Sequence, residues 1–231
     1  HQIIQSDFII FYRTTDQGGQ MIKKSTLTQL ALIIISIALS LPTLAMAASP
    51  SIAHQPPTKD DILYLKQDAP VFETTIPEIR AKFNQNNASL FLNEYKIITN
   101  NDITIPLVRA ATRITPYLYS SAVLERGSEK IKSLQLTLIH SLDTPQIEKE
   151  HQDTAMRYIT ALVTQFDPSI NAAQIQEVLN LFAVKQDVPA YISHNVGAIR
   201  YIIAHEDNQL TTFAIEPIKL SLNSNIDSAI P

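Results

Sequence analysis

Four charged residues are spaced as though to hold an anion. Arg109 and Arg113 stand four apart, which on a helix puts both guanidinium groups on one face. Glu125-Arg126-Gly127 sets a bidentate donor beside a carboxylate and a residue without a Cβ, where the chain is expected to turn. A carboxylate or phosphate would suit either pair. Glu125, Arg126, Arg109 and Arg113 are therefore the candidate ligand-binding residues. The competing expectation is structural, because charge at a hairpin turn or on the outer side of a helix is ordinarily solvated or paired.

Residues capable of catalysis are present, but not in a recognised spacing. His54, His140, His151, His194 and His205 include no pair at i and i+4 and no His-Glu-x-x-His run, so no metal ligand is assigned. His140 and His205 both end predicted strands and converge only if those strands are neighbours; strand-end histidines facing solvent are the ordinary outcome. There is no Gly-x-Ser-x-Gly elbow, and Gly127-Ser128 lacks the strand-to-helix setting that exposes a nucleophile. Glu125, Glu129 and Glu216 offer carboxylates for glycoside hydrolysis, but that chemistry depends on a separation the linear sequence does not fix. Tyr117, Tyr119 and Tyr201 are expected to pack in or on a sheet rather than to form a sugar-stacking platform. The absence of Cys excludes thiol catalysis, disulfide exchange and thiolate-bound metals. After residue 47 the glycines are Gly127 and Gly197, so there is no Gly-rich phosphate loop. No catalytic residue, metal or cofactor is assigned.

Residues 21–47 have the order of a secretory signal peptide. Met21-Ile22-Lys23-Lys24 gives a positive start, residues 30–41 are apolar apart from Ser36 and Ser40, Pro42 ends the run, and Ala45-Met46-Ala47 is a small-x-small cleavage pattern. Export by the Sec route to the periplasm is expected, with the mature chain starting near Ala48. An uncleaved anchor is the alternative, and the short apolar run closed by Pro42 weighs against it. No Cys follows the site to be lipidated, and no Arg pair precedes the run for Tat export. Residues 1–20, with the apolar patch Phe8-Ile9-Ile10-Phe11-Tyr12, precede this complete signal and are expected to lie outside the native fold.

Residues 48–231 carry 15 Lys and Arg against 20 Asp and Glu, because Arg13, Lys23, Lys24, Asp7 and Asp16 fall before them. That balance excludes a nucleic-acid footprint or attachment to anionic lipid. The length suffices for one domain that buries about 70% of its unfolded surface. Residues 48–60 are expected as a flexible leader, 61–222 as a single globular domain and 223–231 as a polar tail. No stable membrane span is expected after cleavage.

Thr75-Ile76-Pro77-Glu78 opens a short helix carrying Ile79 and Phe83, which Asn84 to Asn87 stop. Residues 90–98 are expected to be extended, and 106–114 helical with Leu107, Ala111 and Ile114 inward. Alternation predicts a hairpin from 117–124 and 131–139, with Leu134, Leu136 and Leu138 on one face. Thr144-Pro145 opens a long helix to about Phe166, its stripe being Ile147, Ala155, Ile159, Leu162, Val163 and Phe166. Asn171 with Gln174 caps a second, and residues 198–205 and 210–215 form a second hairpin after a loop holding Pro189. The expected class is α+β: an antiparallel sheet built from two hairpins, packed on two long helices, with shorter N-terminal helices.

Leu92-Asn93-Glu94-Tyr95, Arg109-Ala110-Ala111, the run Leu118 to Gly127 with Lys130-Ile131-Lys132-Ser133, Gly197-Ala198-Ile199-Arg200-Tyr201 and Phe213 to Leu220 together resemble the YiiQ-type family of uncharacterised exported proteins of enteric bacteria. The resemblance spans about residues 63–222 and implies one periplasmic domain of unknown function. It supplies no catalytic residues. The leading expectation is a non-enzymatic envelope protein that binds a protein or small-molecule partner through a sheet face or the 125–130 turn. The alternatives are a hydrolase of a cell-wall or glycan substrate and an immunity or inhibitor protein.

Overall fold

The computed structural model describes residues 51–53 (backbone only), 62–98, 106–141, 143–184, 190–206 and 209–220. All lie in the unit Ser49–Pro231. The expectations for residues 1–47 and 223–231, and for Pro189, lie outside the described residues.

Long runs of Val, Ile, Thr, Tyr and Leu between residues 107 and 139 build the middle of an antiparallel sheet. Its strands are β1 (Ser51–Ala53), β2 (Phe72–Thr75), β3 (Lys96–Ile97), β4 (Leu107–Thr115), β5 (Leu118–Glu125), β6 (Lys130–Ile139), β7 (Ala190–Val196), β8 (Ile199–Glu206) and β9 (Leu210–Pro217). They run β1-β7-β8-β9-β6-β5-β4-β3, with β2 pairing off this path onto β6. β5 and β6 flank the 125–130 turn, and β9 joins the two hairpins by pairing with β6, Leu136 opposite Phe213. β1 falls inside the segment expected as a leader and adds an edge strand to β7.

Three helices cover one sheet face: α1 (Ile76–Asn86), α2 (Pro145–Phe166) and α3 (Ala172–Ala183). Each starts where its sequence supplies a cap. Glu78 accepts the Thr75 N–H at 2.8 Å, Thr144 Oγ1 accepts the Ile147 N–H at 3.3 Å, and Asn171 and Gln174 bond each other's backbone at 3.0 Å. Leu118, Leu124, Ile131, Leu134, Leu136, Leu138, Tyr201 and Phe213 from the sheet meet Phe83, Ile159, Leu162 and Val178 from the helices in one buried core. The class is α+β, with an antiparallel sheet and, among the described residues, three α-helices.

Five expectations need correction. Residues 106–114 are not a helix: 107–115 form β4, paired with β5 over its whole length. Leu, Ala and Arg favour a helix locally, but both sides of this strand are largely buried, which hides its alternation. Val108, Ala110 and Thr112 face the helices, while Leu107 and Ala111 lie on the other side. Among the described residues, α1 and a single 3-10 turn at Leu63–Leu65 precede the sheet centre, in place of the several helices expected. Residues 90–95 are irregular, and just Lys96–Ile97 pair as a strand; Asn84 holds this stretch by accepting the Leu92 N–H and donating to the Leu92 carbonyl. Finally, β7 occupies residues expected as a loop, and Ile147, placed on the buried stripe of α2, is 36% exposed. The buried residue of that first turn is Glu148.

Candidate functional site

The strand assignment of 107–115 separates the arginine pair. Four residues along a strand share a face but lie roughly 13 Å apart, too far to clamp one small anion. Arg113 is exposed, donates to the Thr115 carbonyl at 3.3 Å and lies over the Tyr119 ring, 5.9 Å from its centroid. Arg109 stands opposite Val123, one diagonal step from Glu125, which is opposite Leu107. The fold thus brings Arg109 toward Glu125 and leaves Arg113 at the far end of the strand.

The 125–130 turn satisfies much of its own polarity. Glu125 accepts the Ser128 hydroxyl at 2.6 Å, and its carbonyl takes the Glu129 N–H at 2.9 Å. Arg126 donates its N–H to the Pro106 carbonyl at 3.0 Å and a guanidinium N–H to the Leu107 carbonyl at 3.4 Å. Gly127 has φ +97°, and an added Cβ would meet nothing within 4 Å. Backbone conformation alone dictates glycine there. Gly127→Val is expected to lower stability by about 1–2 kcal/mol, and Arg126→Ala by no more than about 0.5 kcal/mol. Urea denaturation decides it: an unchanged midpoint for Gly127→Val removes the conformational argument.

On the sheet face turned away from the helices, Arg200 and Glu216 stand directly opposite each other, with Nη2 to Oε2 at 2.9 Å. Ser133 also reaches the carboxylate. Glu216 is 2% exposed. Burial raises its pKa above the usual carboxyl value, against the opposing pull of Arg200. Lys132, buried at an irregularity in β6, donates to the backbone carbonyls of Lys66 and Gln67 at 3.0 and 3.3 Å. These charges tie the sheet to itself and to the chain that crosses it.

The groups best suited to acid–base chemistry meet elsewhere, where α2 begins. His140, just past β6, places Nδ1 2.6 Å from Glu148 Oε1 and Nε2 2.7 Å from Thr211 Oγ1. The same hydroxyl lies 2.9 Å from His205 Nδ1. Glu148 also accepts the Ser141 N–H at 2.7 Å and the Gln152 amide at 2.9 Å. Burial pushes Glu148 upward, but hydrogen bonds from His140 and Ser141 and the charge of His140 outweigh it, so its pKa is lowered. Burial, then His140, holds the His205 pKa below the ordinary imidazole range. His151, one turn on, stacks on Tyr117 with ring centroids 3.4 Å apart. His140 and His205 thus converge, not through facing solvent but through a shared hydroxyl. Sequence reasoning missed Glu148, one place off the apolar stripe, and Thr211, an ordinary strand residue. Carboxylate, imidazole and hydroxyl in series can move a proton or activate the hydroxyl. Thr211, however, is 1% exposed.

An open groove of about 500 Å³ lies between the end of α1 and the outer side of α2. Asn86, Asn87 and Gln165 present amides to it, Ser89 and Thr164 hydroxyls, and Arg157 a guanidinium that donates to Ser89 Oγ at 3.0 Å. Leu90 and Ala161 add apolar surface. Phe91, next to Leu90, is 57% exposed. Its backbone N–H and carbonyl are both held by the Tyr158 hydroxyl, at 3.0 and 3.1 Å. The lining includes no carboxylate and no imidazole. Among the described residues, no three acidic or imidazole groups are placed to hold a metal ion, and no helix is long and apolar enough to cross a membrane.

Every residue of these constellations falls within a family match. The model described as "Protein of unknown function (DUF1454)" covers residues 32–224. The chain belongs to the DUF1454 family. It is 34% identical over 194 residues to "Uncharacterized protein YiiQ" of Escherichia coli (strain K12), a likeness covering 84% of this chain and 94% of that relative. No solved structure matches it. This DUF1454 member therefore brings no assigned chemistry from its relative, and its residues must supply the functional argument.

Proposed function

We propose that this DUF1454 protein is an exported periplasmic binding domain without catalytic activity, and that its ligand is a hydroxyl-rich molecule of the saccharide type seated in the α1–α2 groove. The observation that carries this reading is the separation of two kinds of polar residue. The acid–base groups Glu148, His140, Thr211 and His205 are spent on one another, and the hydroxyl a substrate would need is closed off. The groove open to solvent has amides, hydroxyls and one guanidinium, which bind sugars by hydrogen bonds and offer no general acid or base. A glycan hydrolase would need two carboxyl groups across such a groove. The groove is a better candidate than the 125–130 turn, whose Glu125 already accepts Ser128. Export rests on the ordered signal of residues 21–47.

Expression from Met21 in a Gram-negative host is expected to yield a periplasmic protein whose intact mass begins at Ala48. A membrane-bound, full-length product would overturn the export reading. Titration calorimetry with a soluble N-acetylglucosamine oligomer should give binding heat that Arg157→Ala with Thr164→Val removes at unchanged melting temperature. Absence of heat with that oligomer and with a panel of charged oligosaccharides rejects the saccharide reading. Shortened oligomers after incubation reject the non-catalytic one.

A further inference from the structure

We propose that Thr211 is the pivot of a proton-operated latch that fastens the start of α2 to the ends of β6, β8 and β9. Its operation follows from what each atom can donate or accept. The ionised Glu148 carboxylate only accepts, so the proton of its 2.6 Å contact belongs to His140 Nδ1. Thr211 has one hydroxyl proton and touches two imidazole nitrogens, at 2.7 and 2.9 Å. When His140 is neutral, its Nε2 takes that proton. Thr211 Oγ1 then accepts from His205 Nδ1–H, and His205 Nε2 remains a buried lone pair without a partner.

One added proton passes along this chain with every bond conserved in number. It enters at His205 Nε2, the Nδ1 proton moves to Thr211, and the Thr211 proton moves to His140 Nε2. The result is a Glu148 carboxylate against a His140 cation, a hydroxyl turned toward His205, and His205 neutral in its other tautomer. A second proton finds no such place. With both rings cationic, both donate to Thr211, the hydroxyl proton loses its acceptor, and two like charges flank one buried oxygen.

The other groups around the chain do not relieve that charge. From α2 come the neutral Gln152 amide on Glu148 and His151 against Tyr117, with Lys149 paired to Asp153 on the exposed side. Asp143, before α2, is tied to Ser141. From β7, Ala190 stands opposite His205, and Glu206 follows it on β8 with a partner of its own. From β7 and α3, His194 lies 3.7 Å from Glu177. The lowered pKa of His205 places the second step on the acid side of 6.5. The sign agrees with a latch that opens in acid: stability from a neutral buried His is complete above its unfolded pKa and is lost as pH falls through the lower folded value.

Long-range proton–nitrogen spectra of the exported, nitrogen-15-labelled protein test this from about pH 8 to about pH 4.5. His205 should change from the Nδ1–H to the Nε2–H tautomer in the same step in which His140 becomes cationic. Amide exchange at Ser141 and in the first turn of α2 should rise at least about tenfold only in a later, more acid step. Thr211→Ser should keep the coupling, Thr211→Val should break it, and His205→Gln should abolish the acid step. A His205 tautomer that ignores pH, or one that still follows His140 in Thr211→Val, overturns the proposal. If Thr211→Val does not fold, the Thr211→Ser and His205→Gln spectra decide it, the proposal failing if either departs from the stated behaviour.

Discussion

Arg200→Ala is expected to destabilise the domain by about 3–5 kcal/mol at neutral pH, measured by chemical denaturation. The loss comes less from the missing attraction than from what stays behind. Arg200 bonds Glu216 at 2.9 Å, and the two side chains are 13% and 3% exposed. Without the guanidinium, a carboxylate buried on the sheet face keeps only the help of Ser133. Glu216 can escape by taking up a proton, so the defect should shrink on acidification. The sign is fixed by its raised folded pKa: such an acid regains stability as pH falls through that value, and the Arg200→Ala change raises it further. The comparison between variant and parent is needed because the histidine chain destabilises both in acid. Removing both charges should behave differently. Arg200 Nε is buried without a partner, so the native pair is incompletely satisfied, and Arg200→Met with Glu216→Leu is expected to be neutral or stabilising. A loss below about 1 kcal/mol for Arg200→Ala would mean that solvent reaches Glu216.

What could be read from the sequence was local. Thr144-Pro145 and Asn171 with Gln174 announce the starts of α2 and α3 through side chains that bond their own backbone, and the helices begin there. Leu134, Leu136 and Leu138 alternate on a strand with a single apolar face, and all three are buried. Where both faces are buried the signal fades. β4 carries Leu107 and Ala111 on one side and Val108 and Ala110 on the other, a pattern no different from a helical one over nine residues. The sites were less legible because they join distant parts of the chain. His140 meets His205 only because β9 lies between β6 and β8, an order that no spacing along the chain specifies. Glu148 is buried because it receives three hydrogen bonds, and an apolar stripe gives no sign of that. The groove combines the Asn86-Asn87 helix stop with polar residues of α2 some seventy positions later. Each half alone reads as solvated surface.

Leu136→Ala and Leu162→Ala should each lower stability by about 2–5 kcal/mol, with Leu136 in the upper part of that range. Both residues are 1% exposed. Their surroundings differ in how far they can close on a cavity. Leu136 sits in mid-strand, opposite Ser120 on β5 and Phe213 on β9. Ladder hydrogen bonds on both sides fix those backbones, so truncation leaves its volume largely unfilled. Leu162 belongs to a helix that rests on the sheet through side chains alone, and a small shift of α2 can recover part of the lost contact. Ile147 on the same helix provides the contrast. It is 36% exposed, and Ile147→Ala should fall within about 0.5 kcal/mol of the parent, the range of surface substitutions. Urea midpoints at unchanged slope give all three values on one scale. If Leu162→Ala behaves like Ile147→Ala, α2 does not cover the sheet as described. If Leu136→Ala does, the core is not where β6 and β9 meet.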